Sequence, residues 1–241
     1  MGVGAPLPVR HTYAPIRWFF ISSLTLVILK VCADLLAYPA VITTAGGLAL
    51  TYLLLFALAL LIYSWFALVR TRDAASPRIA LQQGTVWGLL CGGAWMIELS
   101  VANLNPLAPQ LGWLFRLIYA SATGLGFLLP GLAGMLVAWR SKQLHSGIEA
   151  GLLCGMLGGL VIFLTYTTLS VLLLHVGQQD PQIVQEFQRS GLTDLSTYIV
   201  GDYLAAMVAH LWIGLLTGVG FGALGSVIGI GLGRVWCGEK A

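Results

Sequence analysis

The chain is expected to be an all-α integral membrane protein of six transmembrane helices, arranged as three hairpins. Composition is the first reason. Of its 241 residues 58% are hydrophobic and only 9% are charged, and the mean hydropathy is +0.89, whereas a soluble chain is about one-quarter charged. The second reason is that the apolar residues fall into six runs, at residues 18–37, 48–69, 82–102, 113–138, 147–175 and 203–233. Each is as long as the ~18–20 residues that cross a bilayer core. The third is an internal repeat in the last two-thirds of the chain. Gly84-Thr-Val-Trp-Gly88-Leu89-Leu90-Cys91-Gly92 recurs as Gly147-Ile-Glu-Ala-Gly151-Leu152-Leu153-Cys154-Gly155. Thr123-Gly124-x-Gly126-Phe127-x3-Gly131-x8-Arg140 recurs as Thr217-Gly218-x-Gly220-Phe221-x3-Gly225-x8-Arg234.

The first run follows Arg17 and contains Lys30 and Asp34 where a signal-peptide cleavage site would need small residues, so it reads as a retained helix. With the second run it forms a hairpin that has no glycine between Gly4 and Gly46 and does not match the other two. The third and fourth runs form the first copy of the repeat, and the fifth and sixth form the second. Each copy holds two spans, so both copies have the same orientation, related by a rotation about an axis near the membrane normal. Apolar side chains gain little by leaving lipid for one another, so close backbone approach must hold such helices together. Small residues four apart permit it. Gly84, Gly88 and Gly92, Gly147, Gly151 and Gly155, and Gly214, Gly218 and Gly222 have that spacing. Spans three to six are expected to form a tight core with spans one and two alongside.

The cations sort by loop. Arg10 and Arg17 precede the first span; Arg70, Arg72 and Arg78 lie between the second and third. Arg140 and Lys142 lie between the fourth and fifth, and Arg234 and Lys240 follow the sixth. Only Arg116 and Arg189 fall on the opposite side. The positive-inside rule then places both termini in the cytoplasm and the protein in the cell membrane. The net charge of +3 is a topology signal rather than a nucleic-acid footprint. The outer connections are the uncharged turn Asn103–Gly112 and the longer segment 177–201. In the latter, Asp180-Pro181 is a helix start and Gly191 a stop. Ile183, Val184 and Phe187 share one face, which makes a short amphipathic helix on the outer interface. A second start at Thr193 or Asp194 leads to the sixth span, with a bend near Gly201. The segment is a surface cover or a lid.

Ionisable groups inside spans are costly and are functional candidates by default. They are Lys30, Asp34, Glu98, Arg116 and His210, with Asp202 at the outer edge, and nearly all lie in the outer half. Lys30 and Asp34 are four apart and can pair. Glu98 continues the stripe Gly84-Gly88-Cys91-Trp95 into the bundle, and Arg116 stands at matching depth on the next helix, which suggests an ion pair. In the repeat Arg116 aligns with His210, each seven residues before its motif threonine. Such a cluster suits a small anionic or zwitterionic solute, or a proton relay; the competing reading is a set of satisfied structural polar groups. Cys91 and Cys154 are simplest as packing positions.

No motif points to an enzyme. Gly220-Phe-Gly222-Ala-Leu-Gly225 matches a dinucleotide string but lies inside an apolar span with no preceding strand. No cofactor and no metal is expected, since no zinc-type or P-loop spacing occurs. The leading expectation is a membrane protein that binds or transports a small solute through this outer polar cluster. The alternative is a non-catalytic structural or assembly subunit of a larger membrane complex. The expected partners are the lipid bilayer, a small solute, and a membrane-protein partner or a second copy of the chain, with no nucleic acid.

Overall fold

The computed structural model describes residues 14–44, 46–70, 78–104, 111–172 and 174–238. Arg10, Arg72, Lys240 and most of the Asn103–Gly112 turn lie outside them. All the described secondary structure is helical: α1 (Ala14–Ala37), α2 (Ala40–Thr44), α3 (Gly46–Trp65) closing in a π turn (Phe66–Arg70), α4 (Arg78–Leu104), α5 (Gly112–Ser141), α6 (Leu144–Leu172), α7 (Leu174–Gly177), α8 (Pro181–Ser190) and α9 (Leu195–Gly238). Six of these helices are long and apolar enough to cross a membrane: the α1, α3, α4, α5, α6 and α9 segments Pro15–Ala37, Leu50–Val69, Ile79–Ala102, Gly112–Ser141, Leu144–Leu169 and Leu195–Val235.

Helix ends follow local chemistry. Asp180 accepts the Gln182 amide at 2.8 Å and Pro181 opens α8, while Gly191 ends it with φ of 73°, a conformation that costs glycine least. Asp194 caps α9 by accepting the Thr197 amide at 2.7 Å and the Thr197 hydroxyl at 2.6 Å. The sixth element differs from expectation. Helix α9 does not begin near residue 203 but runs as one helix of 44 residues from Leu195 through Gly201. The cap stands at Asp194 and no proline follows it. At 1.5 Å per residue it is roughly 66 Å long, about twice a bilayer's hydrocarbon core. Part of it must project beyond that core or tilt.

Helices α4, α5, α6 and α9 form the core. Helix α6 packs on α4, α5 and α9, and α5 also packs on α4 and α9, so that α4 and α9 occupy opposite corners. Backbone meets backbone along α6 and α9. A methyl group at Gly155 would run into the Gly214 carbonyl, one at Gly218 would lie 2.9 Å from the Gly151 carbonyl oxygen, and one at Gly222 would lie 2.9 Å from Gly151 Cα. Between α5 and α9, Gly225 leaves no room over the Gly131 carbonyl. On α4, a methyl at Gly88 would approach Leu157 Cβ to 2.7 Å and Cys154 Cα to 3.2 Å. A rotation that exchanged α4 with α6 and α5 with α9 would give the α5–α6 contact a counterpart between α4 and α9. Those two helices are instead bridged by side chains, with the Trp95 and His210 rings edge-to-face at 6.1 Å.

Pro130 lies inside α5. Proline has no N–H, so the carbonyl four residues earlier, at Gly126, loses its helical donor. In lipid such a loss must be made good from within the protein. The Cys91 thiol supplies it, donating from α4 to the Gly126 carbonyl at 3.3 Å. Cys154 hydrogen-bonds in turn to Cys91. The corresponding residue of the second copy, Leu224, retains its N–H and requires no such donor.

The first hairpin is seated by two long-range bonds. The Tyr63 hydroxyl donates to the Leu211 carbonyl at 2.9 Å, and the Trp212 indole donates to the Leu55 carbonyl at 3.2 Å. Phe20, Phe66, Leu153 and Leu157 belong to the apolar cluster beneath it.

Two predictions follow from this packing. Gly155→Ala places a methyl against backbone that cannot yield, and is expected to cost about 3 kcal/mol or more. Gly124→Ala, which meets open space, should leave thermal unfolding in lipid nanodiscs nearly unchanged; equal effects would exclude the close-approach account. Cys91→Ala should destabilise by about 1 kcal/mol through the orphaned carbonyl, and Cys91→Ser should retain most of that stability. On a Pro130→Ala background the Cys91→Ala penalty should shrink, which a double-mutant cycle measures.

Candidate functional site

At the end of the bundle that carries α8, the first hairpin and the core part, leaving a cavity of about 510 Å³. Its size falls within the roughly 300–1,000 Å³ of small-molecule sites. Helix α1 contributes Val31 and Leu35, α2 contributes Val41 and Ile42, and α3 contributes Tyr52, Leu53 and Phe56. Helix α6 adds Phe163, and α9 adds Thr197, Tyr198, Gly201, Asp202, Leu204, Ala205 and Val208. Ser190 and Leu192, at the end of α8 and in the following turn, complete the lining. Phe56 and Phe163 stack at 5.9 Å between ring centroids and form part of the apolar lining. Apart from Tyr52, the polar residues of the lining come from α9 and the α8–α9 connection.

The cavity follows from sequence. Helices α6 and α9 approach closely because glycine faces glycine, whereas the facing side of α1 and α3 carries Val31, Leu35, Leu53 and Phe56. Those side chains hold the first hairpin away from the core. Tyr63 and Trp212 draw it in nearer the other end, so the gap opens towards α2 and α8.

The polar lining is engaged unevenly. The Thr197 hydroxyl is committed to Asp194. The Ser190 hydroxyl donates to the Phe187 carbonyl at 2.7 Å and accepts the Leu192 amide at 3.2 Å. The Tyr198 hydroxyl reaches Glu186 at 3.3 Å. Asp202 is exposed, and the charged group acting on it is a second carboxylate, Glu186. Among the described residues no hydrogen-bond donor or cation meets the Asp202 carboxylate.

The residues singled out by sequence are distributed over several places. Asp202 lines the cavity. Lys30 and Asp34 form an ion pair on α1, beside Val31 and Leu35 of the lining. His210 lies deeper in α9, half-buried, with Nδ1 2.7 Å from the Ala206 carbonyl. A carbonyl only accepts, so Nδ1 carries the proton and Nε2 remains an acceptor in the neutral ring. Glu98 is buried and does not pair with Arg116; its carboxylate accepts a hydrogen bond from Tyr119. Arg116 is exposed and its Nε donates to the Gly112 carbonyl of its own helix at 3.2 Å. Tyr119 meets Glu98 because it lies three residues, nearly one turn, further along α5 than Arg116. Only Asp202 lines the cavity itself. No group of three or more His, Cys, Asp or Glu able to hold a metal occurs among the described residues.

One acidic group escapes the sequence reading. Glu149 is buried at the opposite end of α6, 3.3 Å from His145 Nε2. It sits three residues into the fifth apolar run, where a carboxylate reads as interfacial. The cavity lining also escapes it, because Val41, Ile42 and Ala205 carry no chemistry that marks them.

No family model, curated protein or solved structure matches the chain.

Asp194 yields a pH prediction. Hydrogen bonds from the Thr197 hydroxyl, and then from the Thr197 amide, hold its carboxyl below the usual range. A depressed folded value means that the stabilisation is complete above the unfolded value of about 3.9 and is lost as pH falls through the folded one. The thermal midpoint of the native protein should therefore exceed that of Asp194→Ala at neutral pH. The difference should close below about pH 4; a difference independent of pH would show that the cap carboxylate is not responsible.

Proposed function

We propose that this multi-pass protein resides in the cell membrane and binds a small solute in the cavity between the first hairpin and α9. The observation that carries the proposal is the coincidence of shape and lining: a cavity of about 510 Å³ with apolar walls and one carboxylate, Asp202, without a partner among the described residues. Apolar enclosure with few polar groups is the usual form of a small-molecule site. The site differs from the cluster expected from sequence, since Glu98, Arg116 and His210 lie elsewhere.

The proposed orientation puts the α8 end outside. Arg17, Arg70, Arg78, Arg140, Lys142 and Arg234 lie towards the opposite ends of their helices, the distribution that marks a cytoplasmic side. The parallel tandem repeat, packed through its glycines, supplies the rigid half of the site, and the first hairpin, whose lining residues are bulky and apolar, supplies the other wall.

A solute that binds the folded state raises stability by RT ln(1 + [L]/Kd), about 2.7 kcal/mol at a hundredfold excess over Kd. The test compares thermal midpoints of the wild type and Ala205→Trp, which fills the cavity, in lipid nanodiscs. The probes are 1-octanol, octyl sulfate and octyltrimethylammonium. At least one should stabilise the wild type and lose its effect on the filled variant. No response to any probe, or an equal response from both proteins, would overturn the reading.

A further inference from the structure

We infer that the cavity takes a small organic cation, an ammonium carried on an apolar chain or ring, with the charged group at Asp202 and the apolar body directed towards Phe56 and Phe163. The inference rests on the cavity being a binding site, as proposed above, and adds the charge and orientation of the occupant.

The charge follows from the surroundings of Asp202. Of the other polar residues around it, Thr197 and Ser190 are already hydrogen-bonded within the protein, and Tyr198 turns its hydroxyl to Glu186. Glu186 and Asp202 act on each other as like charges, and Glu186 and Asp202 both act on the Tyr198 phenol. Asp202 thus lines the polar end of the cavity with a second carboxylate, Glu186, close beyond it, and among the described residues no cation acts on Asp202. Arg189, on the same short helix as Glu186, is exposed and does not line the cavity. An anion entering here would meet repulsion from both carboxylates. A cation would relieve it, and in a site of low polarity such a contact is stronger than in water.

The orientation follows from depth. Asp202 and Val208 are six residues apart on α9, about 9 Å along the helix, and both line the cavity together with Phe163. A chain anchored at Asp202 can therefore bury a body of that length against Val31, Val208 and the stacked rings. Asp202 is exposed near the start of α9, so the charged group remains close to water while the body packs against the apolar walls, an arrangement that limits the desolvation cost of the ion.

The inference commits to a freely diffusing single-chain amine rather than the ammonium headgroup of a bilayer lipid. The cavity lies between helices of one chain, and its polar end is formed by the start of α9 and by α8.

The experiment measures binding of octyltrimethylammonium, octyl sulfate and 1-octanol to the full chain in phosphatidylglycerol nanodiscs. It is repeated with Asp202→Asn and in nanodiscs containing phosphatidylethanolamine. Asp202 makes no hydrogen bond that folding depends on, so the variant is expected to fold; undiminished 1-octanol binding verifies this. The expected result is that octyltrimethylammonium binds the wild type at least about tenfold more tightly than octyl sulfate. Asp202→Asn should remove that preference, with 1-octanol affinity unchanged. Equal binding of the three probes, or a cation preference that survives Asp202→Asn, overturns the inference and leaves the cavity as a solute site. Competition from phosphatidylethanolamine identifies the occupant as a lipid headgroup and overturns the commitment to a free amine. Binding of none of the probes removes the underlying reading as well.

Discussion

Backbone pressed on backbone between α6 and α9 sets the geometry from which the other features follow. Gly151, Gly155, Gly214, Gly218 and Gly222 meet with no side chain between them. Lipid is as apolar as leucine, so these helices gain stability from dense van der Waals contact rather than from escape from water. With α9 on one side and α4 on the other, α6 becomes the most enclosed of the six long helices. Whatever packs next must do so against a surface already fixed. The first hairpin, built from branched and aromatic residues, cannot match that approach and is held off at one end. The cavity is the space left by two packing regimes within one molecule.

Close packing also removes water, so each backbone group within the core needs a partner from the protein. Pro130 shows how strict this is. Its missing N–H exposes the Gly126 carbonyl, and a thiol from the neighbouring helix occupies the position. Gly126 serves twice, since the absence of its side chain also admits the Trp95 indole. Cys91 and Cys154 therefore do more than fill space. The seat of the first hairpin follows the same rule, with Tyr63 and Trp212 each placing a polar atom on a main-chain carbonyl of the opposite element.

Much of the fold is legible in the sequence because its determinants are local or periodic. Six apolar runs give six long helices, Asp180-Pro181 and Gly191 delimit α8, and glycines four apart line the contact between α6 and α9. The site is less legible because it depends on which faces meet. Lys30 and Asp34 pair as their spacing implies, since both lie on one helix. Glu98 and Arg116 lie on different helices, and similar depth does not determine azimuth: Tyr119 is the residue that faces Glu98. The extent of α9 was obscured by Gly201, which in an unsupported helix would weaken the turn but here lies against Val41.

A matching place in two similar sequence motifs does not fix a residue's environment. Arg116 and His210 each stand seven residues before a Thr-Gly-x-Gly-Phe motif, yet α5 has its free side open where α9 is covered by the first hairpin. Arg116 consequently lies exposed at a helix start, while His210 is half-buried beside Trp95. The first hairpin packs on α9 and not on α5, and it does so on the side of α9 where Asp202 stands. Without that hairpin the start of α9 would be uncovered, and Asp202 would be one more interfacial carboxylate. Enclosed on one side by apolar side chains and faced by Glu186, it becomes a negative group at the mouth of an apolar space. The chemistry of the proposed site thus belongs to the boundary between the first hairpin and the glycine-packed core.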